Sequence, residues 1–124
     1  MLMESKKKLI MLVDDNPANL RIGKNVLSDR YTVATAPSAA KLFGLLENNH
    51  PDLILLDIDM PGMDGYGTIQ ALKLNPETKD IPVIFLTGMA DSCDEEKGRA
   101  LGAVDYVTKP FDPPALIACI ERHS

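Results

Sequence analysis

Five short apolar runs punctuate the chain: Leu9 to Val13, Thr32 to Thr35, Leu53 to Leu56, Val83 to Leu86 and Val104 to Val107. They are rich in β-branched residues and predict strands. The first, third and fourth show no alternation of polar and apolar positions, so both of their faces must be covered, as in a parallel sheet. Between the runs the period changes. Ala39, Leu42, Phe43 and Leu46 recur at i, i+3, i+4 and i+7, and Pro113, Leu116, Ile117 and Ile120 repeat that spacing near the end, which predicts helices with one buried stripe. Leu20, Gly23, Val26 and Leu27 give a similar stripe to a first helix. Ile69 and Leu72 mark a third, stopped by Asn75-Pro76, and Asp91 to Ala100 a weaker, acidic fourth. Strand followed by helix, five times over, implies a doubly wound α/β sandwich. For five strands the right-handed crossovers favour the order 2-1-3-4-5, with the topological switch point between strands 1 and 3.

Length and composition narrow this picture without redirecting it. With 124 residues the chain supports one core and not two, and no linker or low-complexity segment divides it. The expectation is a single domain over residues 1–124, with its core at about 8–122. No apolar run approaches the ~20 residues of a membrane span. The basic start, MLMESKKKLIMLV, leads into a short apolar stretch with no small-residue cleavage site, so a cytoplasmic location is expected. A net charge of −5 and a pI near 4.9 argue against a nucleic-acid surface. Lys6 to Lys8 read as a solvated edge. Cys93 and Cys119 read as packing or partly exposed thiols, too few and too far from other ligands for a zinc site or a disulfide framework.

The informative polar residues lie at strand ends. In open α/β sheets ligands bind beyond the carboxyl ends of the strands at the switch point. Strand 1 ends in Asp14-Asp15, strand 3 in Asp57, strand 4 in Thr87-Gly88, and Thr108-Lys109-Pro110 follows strand 5. Singly these residues have ordinary uses: Asp15 or Asn16 before Pro17 caps a helix, Asp57 and Asp59 start a turn, Thr87 caps the fourth helix and Lys109 is a solvated charge. Three carboxylates converging on one cleft, however, repel one another and call for a cation. An all-oxygen set favours a hard divalent ion such as Mg²⁺, which shares its coordination sphere with a phosphate. Lys109 adds a point charge and Thr87 a hydroxyl donor, both suited to phosphoryl oxygens.

The motifs MLVDDNPANL, LILLDIDMPGMDGYG, IPVIFLTG and ALGAVDYVTKPF, in that order and at these separations, resemble the response-regulator receiver domain of two-component signalling, a flavodoxin-like fold. The resemblance implies that Asp57 accepts a phosphoryl group from a sensor histidine kinase or a histidine phosphotransfer protein. It implies Mg²⁺, with Mn²⁺ as a substitute, held by Asp14, Asp15, Asp57 and the backbone carbonyl of Asp59. Lys109 and Thr87 would then offset charge on the phosphoryl oxygens, and slow hydrolysis would follow at the same site; the domain assists its own phosphorylation without being an enzyme in its own right. Lys109-Pro110 resembles the family's cis peptide bond. Thr87 and Tyr106 form the implied switch, in which movement of Thr87 lets Tyr106 rotate and alters the face made by the fourth helix, fifth strand and fifth helix. That face is also the implied homodimer surface.

Other positions are secondary. Asp59 adds a carboxylate beside the phosphoacceptor, and Met89, two residues after Thr87, sits where the family tunes water access. Met60 and Met63 are expected to pack against the loop, and Gly62, Gly65 and Gly67 to serve its turns. His50 and His123 are not placed as phosphodonors. A haloacid-dehalogenase-type phosphatase also uses a strand-end Asp with a second Asp two residues on, as in DIDMPG, but places its nucleophile on the first motif strand. A flavin-binding module would want Ser, Thr and Gly after strand 1 rather than Asp14-Asp15, which repel phosphate. A receiver-like binding module that is never phosphorylated is the remaining alternative.

Overall fold

The computed structural model describes residues 7–58, 60, 62–87, 92–108 and 112–123. The elements follow the expected order: β1 (Leu9–Val13), α1 (Pro17–Leu27), β2 (Thr32–Ala36), α2 (Ala39–Leu46), β3 (Leu53–Asp57), α3 (Gly65–Leu74), β4 (Val83–Thr87), α4 (Ser92–Leu101), β5 (Asp105–Thr108) and α5 (Pro113–His123). All five strands are parallel, in the order β2-β1-β3-β4-β5. No helix among the described residues is long and apolar enough to cross a membrane.

The unbroken apolar runs are explained by two cores, one on each face of the sheet. Met11, Val13, Ile54, Leu56, Val83 and Phe85 point to one side and meet Leu42 of α2 and Ile69 and Leu72 of α3. Ile10, Leu12, Leu53, Leu55, Ile84 and Leu86 point to the other, against Leu27 of α1 and Leu116, Cys119 and Ile120 of α5. Side chains alternate between faces along a strand, so a strand buried on both sides has no polar position to offer. β2, at the edge, is only partly covered.

Helix starts are set by side chains that accept orphan amide protons. Asn16 accepts from the Ala18 N–H with Pro17 at the first helical position, Ser38 accepts from Lys41 N–H, and Asp64 from Gly67 N–H. Of the two candidates before Pro17, Asn16 is the cap; Asp15 is exposed. α3 stops at Leu74 with Asn75 extended before Pro76. Pro113 is exposed and opens α5 rather than joining its stripe. Strands β2, β3 and β4 each run one residue past the apolar stretch, because the next residue still pairs: Asp57 lies opposite Leu86, and Thr87 opposite Thr108. β5 shifts by one in the same direction, from Asp105 to Thr108, although Val104 N–H still donates to the Val83 carbonyl.

Candidate functional site

At the carboxyl edge of the sheet β1 and β3 are neighbours, and their last residues deliver acid. Val13 pairs with Leu56, which sets Asp14 and Asp57 side by side one residue further on. Both are almost wholly enclosed, at 0% and 2% exposure, while Asp15 faces solvent. One carboxylate oxygen from each of Asp14, Asp15 and Asp57 lies within 4.8 Å of the others. Asp14 is held in place locally: its Oδ1 accepts from Asn16 N–H at 2.9 Å, and its Oδ2 from the Asn19 side-chain amide at 3.2 Å. Asn19 was not among the residues the sequence singled out. It lies on the first turn of α1, and only the fold shows that this turn overlies the end of β1.

The donor set, three carboxylates of which two are buried, matches what a hard divalent cation requires and what an anion would avoid. The residues present therefore fit Mg²⁺. Thr87, 8% exposed, closes β4 on the next strand over. Thr108 pairs with it, so β5 ends at the same edge. Lys109, Pro110, Asp59, Gly88 and Met89 lie outside the described residues, and so do the side chains of Cys93, Asp94 and Glu95.

The loop after Asp57 is fastened by its backbone. Gly65 N–H donates to the Ile58 carbonyl at 2.8 Å, which brings the start of α3 beneath the end of β3. Gly62 has φ of +76°, a conformation only glycine adopts cheaply. Both methionines were expected to pack against the loop; Met60 is buried in the core, and Met63 is about half exposed.

The two residues of the implied switch share a sheet face. Phe85 pairs with Tyr106 and Thr87 with Thr108, so Thr87 and Tyr106 sit on adjacent pleats of one side. The Tyr106 ring is 5.7 Å from Phe85, whose ring is in turn 5.6 Å from Tyr66, edge-on. Lys97 stands 4.4 Å over Tyr66 and Arg99 5.9 Å over Tyr106, so α4 lies across an aromatic row. Its room comes from Gly98: a Cβ there would overlap the Tyr106 hydroxyl and come within 2.7 Å of the Phe85 ring. The signal was a lone glycine inside a helical pattern, which usually has a packing reason. Gly98→Ala is therefore expected to lower stability by about 1–3 kcal/mol through overpacking, despite the ~1 kcal/mol that alanine ordinarily adds in a helix. A urea midpoint above wild type would show that the tyrosine does not occupy this space.

A second cluster corrects the expectation for cysteine. Cys119 is not remote from other ligand-type residues: its Sγ, a ring nitrogen of His123 and an Asp105 carboxylate oxygen lie within 4.8 Å of one another. Asp105 Oδ2 accepts from His123 at 2.9 Å, Arg122 at 3.1 Å and the Cys119 thiol at 3.4 Å, and Oδ1 accepts from Tyr106 N–H at 2.8 Å. Burial opposes ionisation of Asp105, but the bonds from His123, Tyr106 N–H and Cys119 together hold its carboxyl below the usual range. Burial, then the Asp105 carboxylate, push the Cys119 thiol up to about 11. A groove of about 890 Å³, lined by Phe43, Leu46, His50, Leu72, Asn75 and Thr78 among others, lies at the amino edge of the sheet and includes none of the carboxyl-edge acids.

The family model for the response regulator receiver domain matches residues 10–121. A "Probable cyclic di-GMP phosphodiesterase" of Vibrio cholerae is 44% identical over 114 residues, covering 92% of this chain and 26% of that protein. The chain spans about a quarter to a half of the curated relatives it matches. Among solved structures, the Vibrio cholerae chemotaxis protein CheY4 superposes with a TM-score of 0.91 at 26% identity, covering 95% of this chain and 99% of that one. The receiver domain of sensor histidine kinase PA1611 from Pseudomonas aeruginosa PAO1, described with a magnesium ion in its active-site cleft, gives 0.85 at 29% identity, covering 94% and 97%.

Proposed function

Because the chain belongs to the response-regulator receiver-domain family, whose members are phospho-accepting signalling domains, we propose that Asp57 is its phosphoacceptor and that a histidine kinase or histidine phosphotransfer protein is the donor. The observation that carries this reading is the burial of Asp57 at the end of β3, with oxygens of Asp14 and Asp15 within 4.8 Å. A lone strand-end turn would not need two further acids there.

In the transfer, an Asp57 carboxylate oxygen attacks phosphorus as the P–N bond of the donor phosphohistidine breaks. An acyl phosphate forms on Asp57 and the imidazole leaves with the electron pair. Asp14, Asp15 and Asp57, with the Asp59 carbonyl, are the proposed Mg²⁺ ligands; Mn²⁺ has the same oxygen preference. The bound ion supplies charge neutralisation for carboxylates and phosphoryl oxygens. Asn16 N–H and the Asn19 amide hold Asp14 in orientation, Thr87 offers a hydroxyl to a phosphoryl oxygen, and Lys109 a cation. Most of the catalysis is thus positioning and electrostatics.

A phosphoryl group near Thr87 would draw that hydroxyl inward, and Tyr106, on the next pleat, would repack against α4. Two such arrangements biased by one charge make a switch, read by partners or by a second copy at the face of α4, β5 and α5. The phosphodiesterase and its counterparts extend well beyond the matched region, where their outputs are built.

Incubation with acetyl phosphate and Mg²⁺ is expected to add one group of about 80 Da, seen by intact mass and removed by hydroxylamine as an acyl phosphate requires. EDTA should suppress the addition. A protein that gains no labile mass from acetyl phosphate or from a panel of phosphorylated kinases would rule this function out.

A further inference from the structure

We propose that Asp105, Cys119 and His123 form a second metal site, for a thiophilic divalent cation of the Zn²⁺ class, at the amino edge of the sheet, opposite the Asp57 site. Cys119 and His123 are four residues apart on α5, which puts them on one helix face, and Asp105 opens the strand beside them. The combination of thiol, imidazole and carboxylate is a zinc-type donor set, unlike the all-oxygen set at Asp57.

The spacing is close to what coordination needs. With Zn–S near 2.3 Å and Zn–N and Zn–O near 2.0–2.2 Å, tetrahedral ligands stand about 3.3–3.6 Å apart. Here Asp105 Oδ2 is 2.9 Å from His123 Nε2 and 3.4 Å from Cys119 Sγ, and the thiol and a ring nitrogen of His123 lie within 4.8 Å of each other, so the three ligand atoms already surround one point. The carboxylate is already oriented, because its other oxygen accepts from Tyr106 N–H at 2.8 Å; such outer support is typical of metal ligands.

Arg122 and Arg99 also reach Asp105, at 3.1 and 3.4 Å, but they are 64% and 46% exposed. The guanidinium ends are exposed although the Asp105 carboxylate is only 18% exposed, so the cation displaces them from the carboxylate into water, and Arg99 keeps its bond to the Val104 carbonyl. On binding, the Cys119 S–H bond breaks, the proton leaves to solvent and the thiolate sulfur donates its pair to the metal. His123 coordinates through Nε2 as the neutral ring. Three protein ligands leave the fourth position to water or to a ligand from a partner. Occupancy would tie the end of α5 to the start of β5, next to Tyr106.

Cobalt(II) reports the site directly, because thiolate coordination gives an intense near-ultraviolet charge-transfer band that carboxylates do not. Titration of the reduced full chain with Co²⁺ is expected to produce that band, and Zn²⁺ to abolish it. Cys119→Ser should remove the band, whereas Cys93→Ser and Asp57→Asn should keep it, which separates this site from the other thiol and from the phosphoacceptor. Cys119 is buried, so the accessible His123→Ala provides the second arm: Zn²⁺ affinity by chelator competition should fall by more than the ~10- to 100-fold that loss of a supporting residue causes. No charge-transfer band in the wild type, a band surviving Cys119→Ser, or unchanged Zn²⁺ affinity in His123→Ala would overturn the proposal.

Discussion

Asp57→Asn is expected to reduce the labile phosphoryl adduct to background while leaving the domain folded. The replacement has nearly the same shape, so the 2%-exposed cavity at the end of β3 stays filled. What disappears is chemistry: an amide oxygen cannot form the acyl phosphate, and neither Asp14 nor Asp15 extends from the central strand. The metal response should change with it. At a Mg²⁺ concentration ten times its Kd, a ligand that binds only the native state adds about 1.4 kcal/mol of stability. Removing one of three carboxylates should shrink that increment, seen as a smaller rise in Tm on adding Mg²⁺. An adduct formed by Asp57→Asn in wild-type yield would move the nucleophile elsewhere and defeat the assignment.

What made this site legible in the sequence was the conflict between Leu53 to Leu56 and the acid that follows. Burial on both faces requires a parallel central strand, and such a strand can end in Asp only where something outside the sheet uses it. Topology then followed from the same runs, since strands without a polar face leave few alternatives to helices on both sides. What stayed hidden depends on register between distant segments. Asp57 and Thr87 read as strand ends and are, but that both still pair within the ladder depends on Leu86 and Thr108 across from them. Asn19 is only five positions from Asp14, but that its amide turns back to the carboxylate depends on how the first turn of α1 leaves β1. Gly98 makes room for Tyr106 only because α4 crosses the aromatic row. Cys119 and His123 share a helix face at i and i+4, but Asp105, 18 positions from His123, joins them only because α5 returns along β5, so the carboxylate of the cluster could not be read from the sequence.

The same register makes Gly65 the position at which a single methyl group should do most damage to the fold. Its Cβ would sit 2.6 Å from the Asp57 carbonyl oxygen and 2.7 Å from the Ile58 Cα. Those atoms are backbone, on a strand buried on both faces, and cannot rotate aside as a side-chain tip would. To admit alanine, the start of α3 must move away by the better part of an ångström, stretching the bond from Gly65 N–H to Ile58. Overpacking of this kind costs about 1–3 kcal/mol, and more for Gly65→Val; in a domain of this size each kcal/mol corresponds to roughly 3–5 °C in Tm. Function should fall further than stability, because Asp57 itself shifts and a displacement near 1 Å in a reacting group can cost about 10²-fold in rate. Two other glycines calibrate the effect. A Cβ at Gly67 meets the half-exposed Met63 side chain at 3.1 Å and the Asp64 carboxylate at an ordinary 3.6 Å, and one at Gly44, inside α2, meets nothing within 4 Å. Gly67→Ala should be nearly neutral, and Gly44→Ala should gain up to about 1 kcal/mol from helix propensity. Thermal melts of the three variants, with acetyl phosphate labelling rates for each, test this ordering. If Gly65→Ala melts and labels like Gly44→Ala, the loop after β3 does not hold Asp57 in place, and the phosphoacceptor geometry must be set from the Asp14 side alone.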